Sequence, residues 1–586
     1  MATKGAKNEV ALKVWASWED GVGYLYDEQG INGLYYANAI LGLRGELRPA
    51  PAFMGTSAAP LTEIDITDGV STRSAITGLT SAQYFFEEIT TDVAVSNEAY
   101  LYPIINNDGR LSGAAIGDAV YKMDMRFATF GAYLSEGFSN GSANDPLGSP
   151  MRYQGQWFVP GANDIRRLTT VAAAGAADTW TASSAGGSPT SADHLALLNF
   201  QGTKVKRGSG SSLLATNGDP LLDTAWGSYN QVGDKNERAL GIQNLADAMF
   251  IFNKEGLYSF NDKVQSGLVF GDFRHWRNVL REAAIVPFKG GLILGHPTGL
   301  QFYQPRNLPV AIGPDSNPAS TGLGPPGGPT EFSNGRWHGV SVAGDYIYAV
   351  YQPTPTGGSG IGTGTARNAL ILFGTPKGMA DPTDITWQVV GSTNLQSKSL
   401  FSTCFVSTLG YPEVSDQPSP TLWVNSSNSA ASTLTLKRMN LDNRATPFRS
   451  RLETHRVVNN ITEGTTAAEC WLSELMFPQP VELTRLVVYT QDMVFLSGTE
   501  GPDCWKFSVL LNGAPEQASA ISGISSLADI AVGRINRNGR TEIELNHQDI
   551  HRLMLHIAFQ STIGSATGSV NRVAPSIKRI ELWGRA

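Results

Sequence analysis

A chain of 586 residues with 41% hydrophobic residues is long enough for two to four domains with buried cores. Its 44 basic and 52 acidic residues give a formal net charge of −8, which argues against the broad basic surface that grips phosphates; no sequence-specific nucleic-acid binding is expected. Only 16% of residues are charged, whereas Gly reaches 63 and Pro 31, a composition suited to many short strands and turns rather than to long helices.

The first nine residues, Met1 to Glu9, lack the apolar run of a secretion signal, and no stretch of about 18 apolar residues follows, so neither export nor membrane insertion is expected. Residues 10–60 read as an opening unit: Gly23 to Tyr26 and Gly33 to Tyr36 are aromatic-rich strands around Asp27-Glu28-Gln29-Gly30, and Arg48-Pro49-Ala50-Pro51 stops the pattern. This unit is expected as an N-terminal arm or as strands of a first propeller blade, spanning 1–60.

From 61 to 445 one phrase recurs: an apolar strand, a turn, then Gly with an aromatic and a second strand. It reads most clearly at Ala248-Met249-Phe250-Ile251-Phe252 with Gly256-Leu257-Tyr258-Ser259-Phe260, and again at Gly291-Leu292-Ile293-Leu294 with Gly299-Leu300-Gln301-Phe302-Tyr303. Looser copies lie at 345–351 with 369–373, at 421–424 with 433–439, and upstream at 100–104 and 157–168. Strand pairs returning every 40–50 residues or so fit four-stranded propeller blades. Residues 173–191 and 313–329, rich in Ala, Gly, Ser, Thr and Pro, are expected as loops. From 446 to 586, short alternating strands such as Ile577-Lys578-Arg579-Ile580-Glu581-Leu582-Trp583 predict a C-terminal β-sandwich. The expected fold class is therefore all-β, a β-propeller with a C-terminal β-sandwich domain.

The strings Phe250 to Tyr258, Val286 to Leu294 and Thr298-Gly299-Leu300 resemble propeller proteins from the tails of double-stranded DNA bacteriophages. The closing strings Leu483 to Tyr489, Phe507 to Gly513 and Ile577 to Leu582 are similar to the sandwich that often follows such propellers. The likeness covers roughly residues 240–586. It implies a structural and interaction protein of the virion, in the tail or tail tip (nozzle-like or hub), made in the host cytoplasm. Its partners would be other virion proteins and further copies of itself in a ring. The alternative is a carbohydrate-binding or glycan-cleaving propeller that contacts a host surface glycan.

His547 and His551 are four apart, as in a zinc protease helix, but Gln548 stands where the general-base Glu is needed, and their flanks alternate like strands that would set them at a turn. Gly358 to Thr365 lacks the Lys of a phosphate loop, and Asn106-Asn107-Asp108-Gly109 reads as a tight turn. Cys404, Cys470 and Cys504 form neither a metal pair nor a disulfide framework. Glu87, Glu88, Asp92, Asp247, Glu255 and Asp262 are the conceivable glycosidase carboxylates, and Trp157, Trp276, Trp337, Trp387 and Trp423 could stack on sugars or fill space between blades. No catalytic, cofactor-binding or metal residue emerges, and no cofactor is expected.

Overall fold

The structure is a computed structural model. It describes residues 9–24, 26–27, 29, 31–38, 40–50, 53–54, 64–65, 80–89, 99–107, 119–124, 132–137, 148–161, 165–172, 177–183, 197–200, 203–207, 212–222, 226–233, 239–253, 255–261, 264–271, 285–296, 299–313, 336–352, 367–377, 381–395, 404–411, 419–427, 434–440, 456–458, 461–463, 468–493, 503–512, 530–561 and 574–585.

Every regular element among the described residues is a strand. Among the described residues seven antiparallel sheets follow one another, with strands lying between 80 and 137, 151 and 182, 197 and 231, 239 and 271, 285 and 311, 336 and 395, and 404 and 440; they are blades 1 to 7 of a β-propeller. In each, consecutive strands are neighbours, and the first strands of successive blades from 2 to 7 lie side by side. The first strand of blade 7 also touches that of blade 1, which closes the ring.

The blades cohere because their central strands are apolar on both faces. In Ala248–Asn253, Met249 and Ile251 point to blade 3 and pack with Leu213 and Val232, while Phe250 and Phe252 point to blade 5 and pack with Leu292 and Leu294. Strand side chains alternate between faces, so an uninterrupted apolar run is what a strand buried between two blades requires. The same division recurs in Gly291–His296, where Leu292 and Leu294 face blade 4 and Ile293 joins the core on the other side. Between these strands Asn253 organises the turn, its Oδ1 accepting from the backbone N–H of Glu255 at 2.8 Å and of Gly256 at 3.0 Å. Gly256 follows at φ 153°, a region that side chains with a Cβ rarely enter.

Of the remaining described strands, Arg456–Val458 and Ile461–Glu463 pair only with each other, and the others form one eleven-stranded sheet. Its middle is C-terminal: Ala468–Leu472, Gly539–Ser561, Leu475–Gln491 and Ser576–Arg585 lie in that order, with Asp503–Leu511 and Ile530–Ile535 branching from the long strand. Both flanks are N-terminal: Gly33–Asn38 pairs with Ala468–Leu472 at one side, and Glu46–Pro49 with Val10–Trp15 pairs with Ser576–Arg585 at the other. The long strand changes partners along its length. Residues 539–544 pair with Leu475–Gln491, whereas 556–559 lie between Ala468–Leu472 and Asp503–Leu511. Hydrogen bonding thus runs through this module as a single sheet rather than as two separately bonded layers of a sandwich.

The opening unit is shared between the two bodies, which differs from the expected division into 1–60, 61–445 and 446–586. Strands between 10 and 49 belong to the C-terminal sheet, whereas Phe53–Met54 and Ile64–Asp65 pair with the outermost strand of blade 7, Leu434–Asn440. The reason is physical: a sheet edge must find a partner or stay exposed. Here the N-terminal strands cover edges of both bodies.

Candidate functional site

A concavity lies where the two bodies meet, a cleft of about 420 Å³. One wall is N-terminal, with Glu19, Asp20 and Arg44, and the other is the outer hairpin of blade 6, with Thr375, Lys377 and Thr386. Its floor is a close backbone contact. Gly42 N–H donates to Gln388 Oε1 at 3.1 Å and Gln388 Nε2 donates to the Gly42 carbonyl at 2.7 Å, both buried, as if Gln388 were one more residue of a ladder. Gly21, at φ 75°, passes so near blade 6 that a Cβ would lie 2.3 Å from the Trp387 carbonyl oxygen, so only glycine fits there.

Charge at the rim is balanced. Lys377 Nζ lies 2.7 Å from Asp20 Oδ1, and the other oxygen of Asp20 accepts from the backbone N–H of Asn32 at 2.5 Å. Burial pushes Lys377 down, but its hydrogen bond to Asp20 with the charges of Tyr24, Asp20 and Asp384 more than offsets this and leaves it above the ordinary lysine value. Burial raises the Tyr24 hydroxyl, with Lys377 opposing. Arg44, largely exposed, lies 3.9 Å from Glu19. The Lys377–Asp20 pair crosses the seam between the modules, whereas Arg44 and Glu19 both stand on its N-terminal wall.

The residues considered for chemistry do not converge. Glu87 and Glu88 are neighbours on one strand and so point to opposite faces: Glu87 accepts from Ser407 of blade 7 at 2.5 Å, and Glu88 pairs with Arg152 of blade 2 at 3.1 Å. Glu255 accepts from the Tyr258 hydroxyl at 2.8 Å on blade 4, and Asp247 is exposed in a turn of the same blade. Asp92, Asp262, Trp276, Asp108, Gly109 and Gly358 to Thr365 lie outside the described residues, as does the Trp337 side chain. Trp157 packs on Phe86 between blades 1 and 2, and Trp387 donates from Nε1 to the Ile312 carbonyl of blade 5 at 2.6 Å. Trp423 is fully buried. Trp157 and Trp387 thus pack between blades, the latter buried like Trp423.

His547 and His551 fall on the continuous strand Gly539–Ser561, so the expected turn is instead a kink within it. Asp549 takes φ 57°, and Asn512, itself at φ 51°, clamps the kink by donating to the Asp549 carbonyl at 2.9 Å and accepting from the His551 N–H at 2.7 Å. His556 is held elsewhere, stacked on Trp471 with Nε2 3.0 Å from the buried Glu469. Among the described residues no group of three His, Cys, Asp or Glu has metal-binding geometry. Nor is any helix among them long and apolar enough to cross a membrane. Sequence reasoning missed Asp20, Lys377 and Gln388; Gln388 and Gly42 are 346 positions apart, and no local pattern marks the pairing.

No protein-family model and no curated protein matches the chain. Among solved structures, that of Chaetomium thermophilum Raptor aligns with 68% of this chain and 30% of its own length, at 7% identity and TM-score 0.36. YCF48 bound to D1 peptide aligns over 66% of this chain and 100% of that one, at 13% identity and TM-score 0.33. The Vanderwaltozyma polyspora Nup133 β-propeller domain aligns over 56% and 87%, at 12% identity and TM-score 0.32. At such scores these likenesses carry no argument about role, and the propeller stands on its own hydrogen-bonded topology.

Proposed function

We propose that this chain is a structural and interaction protein of a bacteriophage virion, a tail or tail-tip component that works through protein–protein interfaces. The phage assignment rests on the sequence resemblance. The observation that favours a mechanical role is the way the two bodies are joined: N-terminal strands flank the C-terminal sheet, contact blade 6 through Gly42 and Gln388, and then supply the outer strand of blade 7. A body joined at several separate places resists hinge motion and transmits load as one piece. Copies arranged around a particle axis by cyclic symmetry would present the same faces to each neighbour, and the polar cleft at the seam would receive a loop from one of them.

The test is mass spectrometry and cryo-electron microscopy of purified particles from lysates that contain this chain, alongside incubation of the isolated protein with host polysaccharide. A fixed stoichiometry in the tail, with no polysaccharide cleavage, is expected. Absence from particles, or glycan turnover stopped by a single carboxylate substitution, overturns the reading in favour of a carbohydrate-active protein.

A further inference from the structure

Lys122 is a cation almost without access to water. It belongs to the strand Ala119–Asp124 of blade 1, its side chain 2% exposed, and it meets Asp178, whose side chain is 0% exposed and which precedes the strand Thr179–Ala182 of blade 2. Lys122 Nζ lies 2.8 Å from Asp178 Oδ1 and also donates to the Ala172 carbonyl at 2.6 Å. The Ala172 N–H donates to the same Oδ1 at 2.9 Å, and the Tyr102 hydroxyl donates to Oδ2 at 3.0 Å. The ring of Tyr100 closes the site 4.2 Å from Nζ. Desolvation cancels most of what a buried ion pair gains, and apolar residues of similar volume hold elements together as well or better. What this arrangement adds is an amine held against a carboxyl group, with both carboxyl oxygens hydrogen-bonded and bulk water kept out.

We propose that Lys122 and Asp178 condense into an isopeptide bond that ties blade 1 covalently to blade 2. A proton passes from Nζ to Oδ1 along their hydrogen bond, giving a neutral amine and a carboxylic acid. The nitrogen lone pair attacks Cγ, and the carbonyl π pair moves onto Oδ2. There the Tyr102 hydroxyl donates to the developing oxyanion, as the donors of an oxyanion hole do. A second proton moves from nitrogen to Oδ1, the Cγ–Oδ1 bond breaks, water leaves, and the pair on Oδ2 restores the carbonyl. One C–N bond forms and one C–O bond breaks, with no oxidant, reductant or cofactor. Ala172 contributes position: its carbonyl and N–H hold the amine and the leaving oxygen in a reactive arrangement before any bond changes. Burial, reinforced by Asp178, pushes the Tyr102 hydroxyl well above the ordinary tyrosine value, so it remains a donor throughout.

The experiment is intact-mass measurement of the full-length folded protein, followed by digestion and peptide mapping. The expected mass is one water below that of the sequence, with a branched peptide linking Lys122 and Asp178. Lys122→Ala and Asp178→Ala each restore the full mass, and Tyr102→Phe, which keeps the ring, slows formation of the branched peptide after refolding by about 10²-fold. Full sequence mass in the folded natural protein overturns the proposal whether or not the variants fold. So does a water loss that mapping places at another residue.

Discussion

Blades 1 to 4 and blades 5 to 7 are built from the same kind of sheet, yet they are held differently. At the first four junctions the buried side chains form separate small clusters: Phe86 and Tyr102 with Val159 between blades 1 and 2, Met151 and Phe158 with Leu221 between 2 and 3, and likewise onward to blade 5. On the other side of the ring, Phe302, Ile347, Leu372, Val389 and Val406 share one continuous core with Trp18, Leu34, Leu483, Trp505 and Ile580 of the terminal module. In the first region each junction stands on its own, and in the second, loss at one place is felt across several elements. Repetition of a fold does not make its copies energetically alike.

The comparison is sharpest in a pair of core truncations. Trp505 is fully buried against Phe559, and Trp505→Ala should destabilise the protein by about 3–5 kcal/mol. Hydrogen exchange should then show protection lost together in the terminal module and blades 5 to 7. Leu213→Ala, in the small cluster between blades 3 and 4, should cost about 2–3 kcal/mol, with the loss confined to those two blades. Equally local responses, or equally global ones, would break the distinction. At the seam itself, Gln388→Leu leaves the buried N–H and carbonyl of Gly42 without their partner and should cost about 1–3 kcal/mol, read as a shift of the denaturation midpoint.

The smallest effect concerns pH at the junction of blades 6 and 7. Cys404 is buried there with Sγ 3.4 Å from the Tyr348 carbonyl, and burial pushes its thiol from 9.0 up to about 12. The folded state therefore holds the proton more tightly than the unfolded state does. Its contribution to stability is fully present below about pH 9 and is lost as the pH rises toward about 12. Cys404→Ala should flatten that part of a stability curve and leave the neutral region's slope unchanged; an unaltered alkaline slope would show the thiol to be accessible.

Much of the propeller was legible because its signals are local. Ala248–Asn253 with Gly256–Asn261, and Gly291–His296 with Gly299–Tyr303, are the hairpins that the apolar runs and glycines predict. Of the closing strands, those around Leu483, Trp505 and Ile577 fall where alternation puts them, whereas the expected strands flanking His547 and His551 are one, with a kink that Asn512, just past Asp503–Leu511, holds between them. Partner choice was not legible. Nothing near Val10–Trp15 says that it pairs with Ser576–Arg585, since such a match depends on two surfaces remote in sequence. The same holds for Asp20 with Lys377, and for Lys122 with Asp178. Pattern reports which face of a strand is buried, and only the assembled fold reports against what.

The N-terminal strands that border the C-terminal sheet also impose an order on synthesis. Residues 10–49 leave the ribosome long before Ala468–Leu472 and Ser576–Arg585 exist to receive them. At roughly 5–20 residues per second, the stretch between takes on the order of 20–80 s to make. Throughout that interval, strands as apolar as Gly33–Asn38 and Ile40–Leu43 are orphans in a crowded cell. A nascent chain of this design would depend on a holding chaperone, and slowing translation would lengthen its exposure.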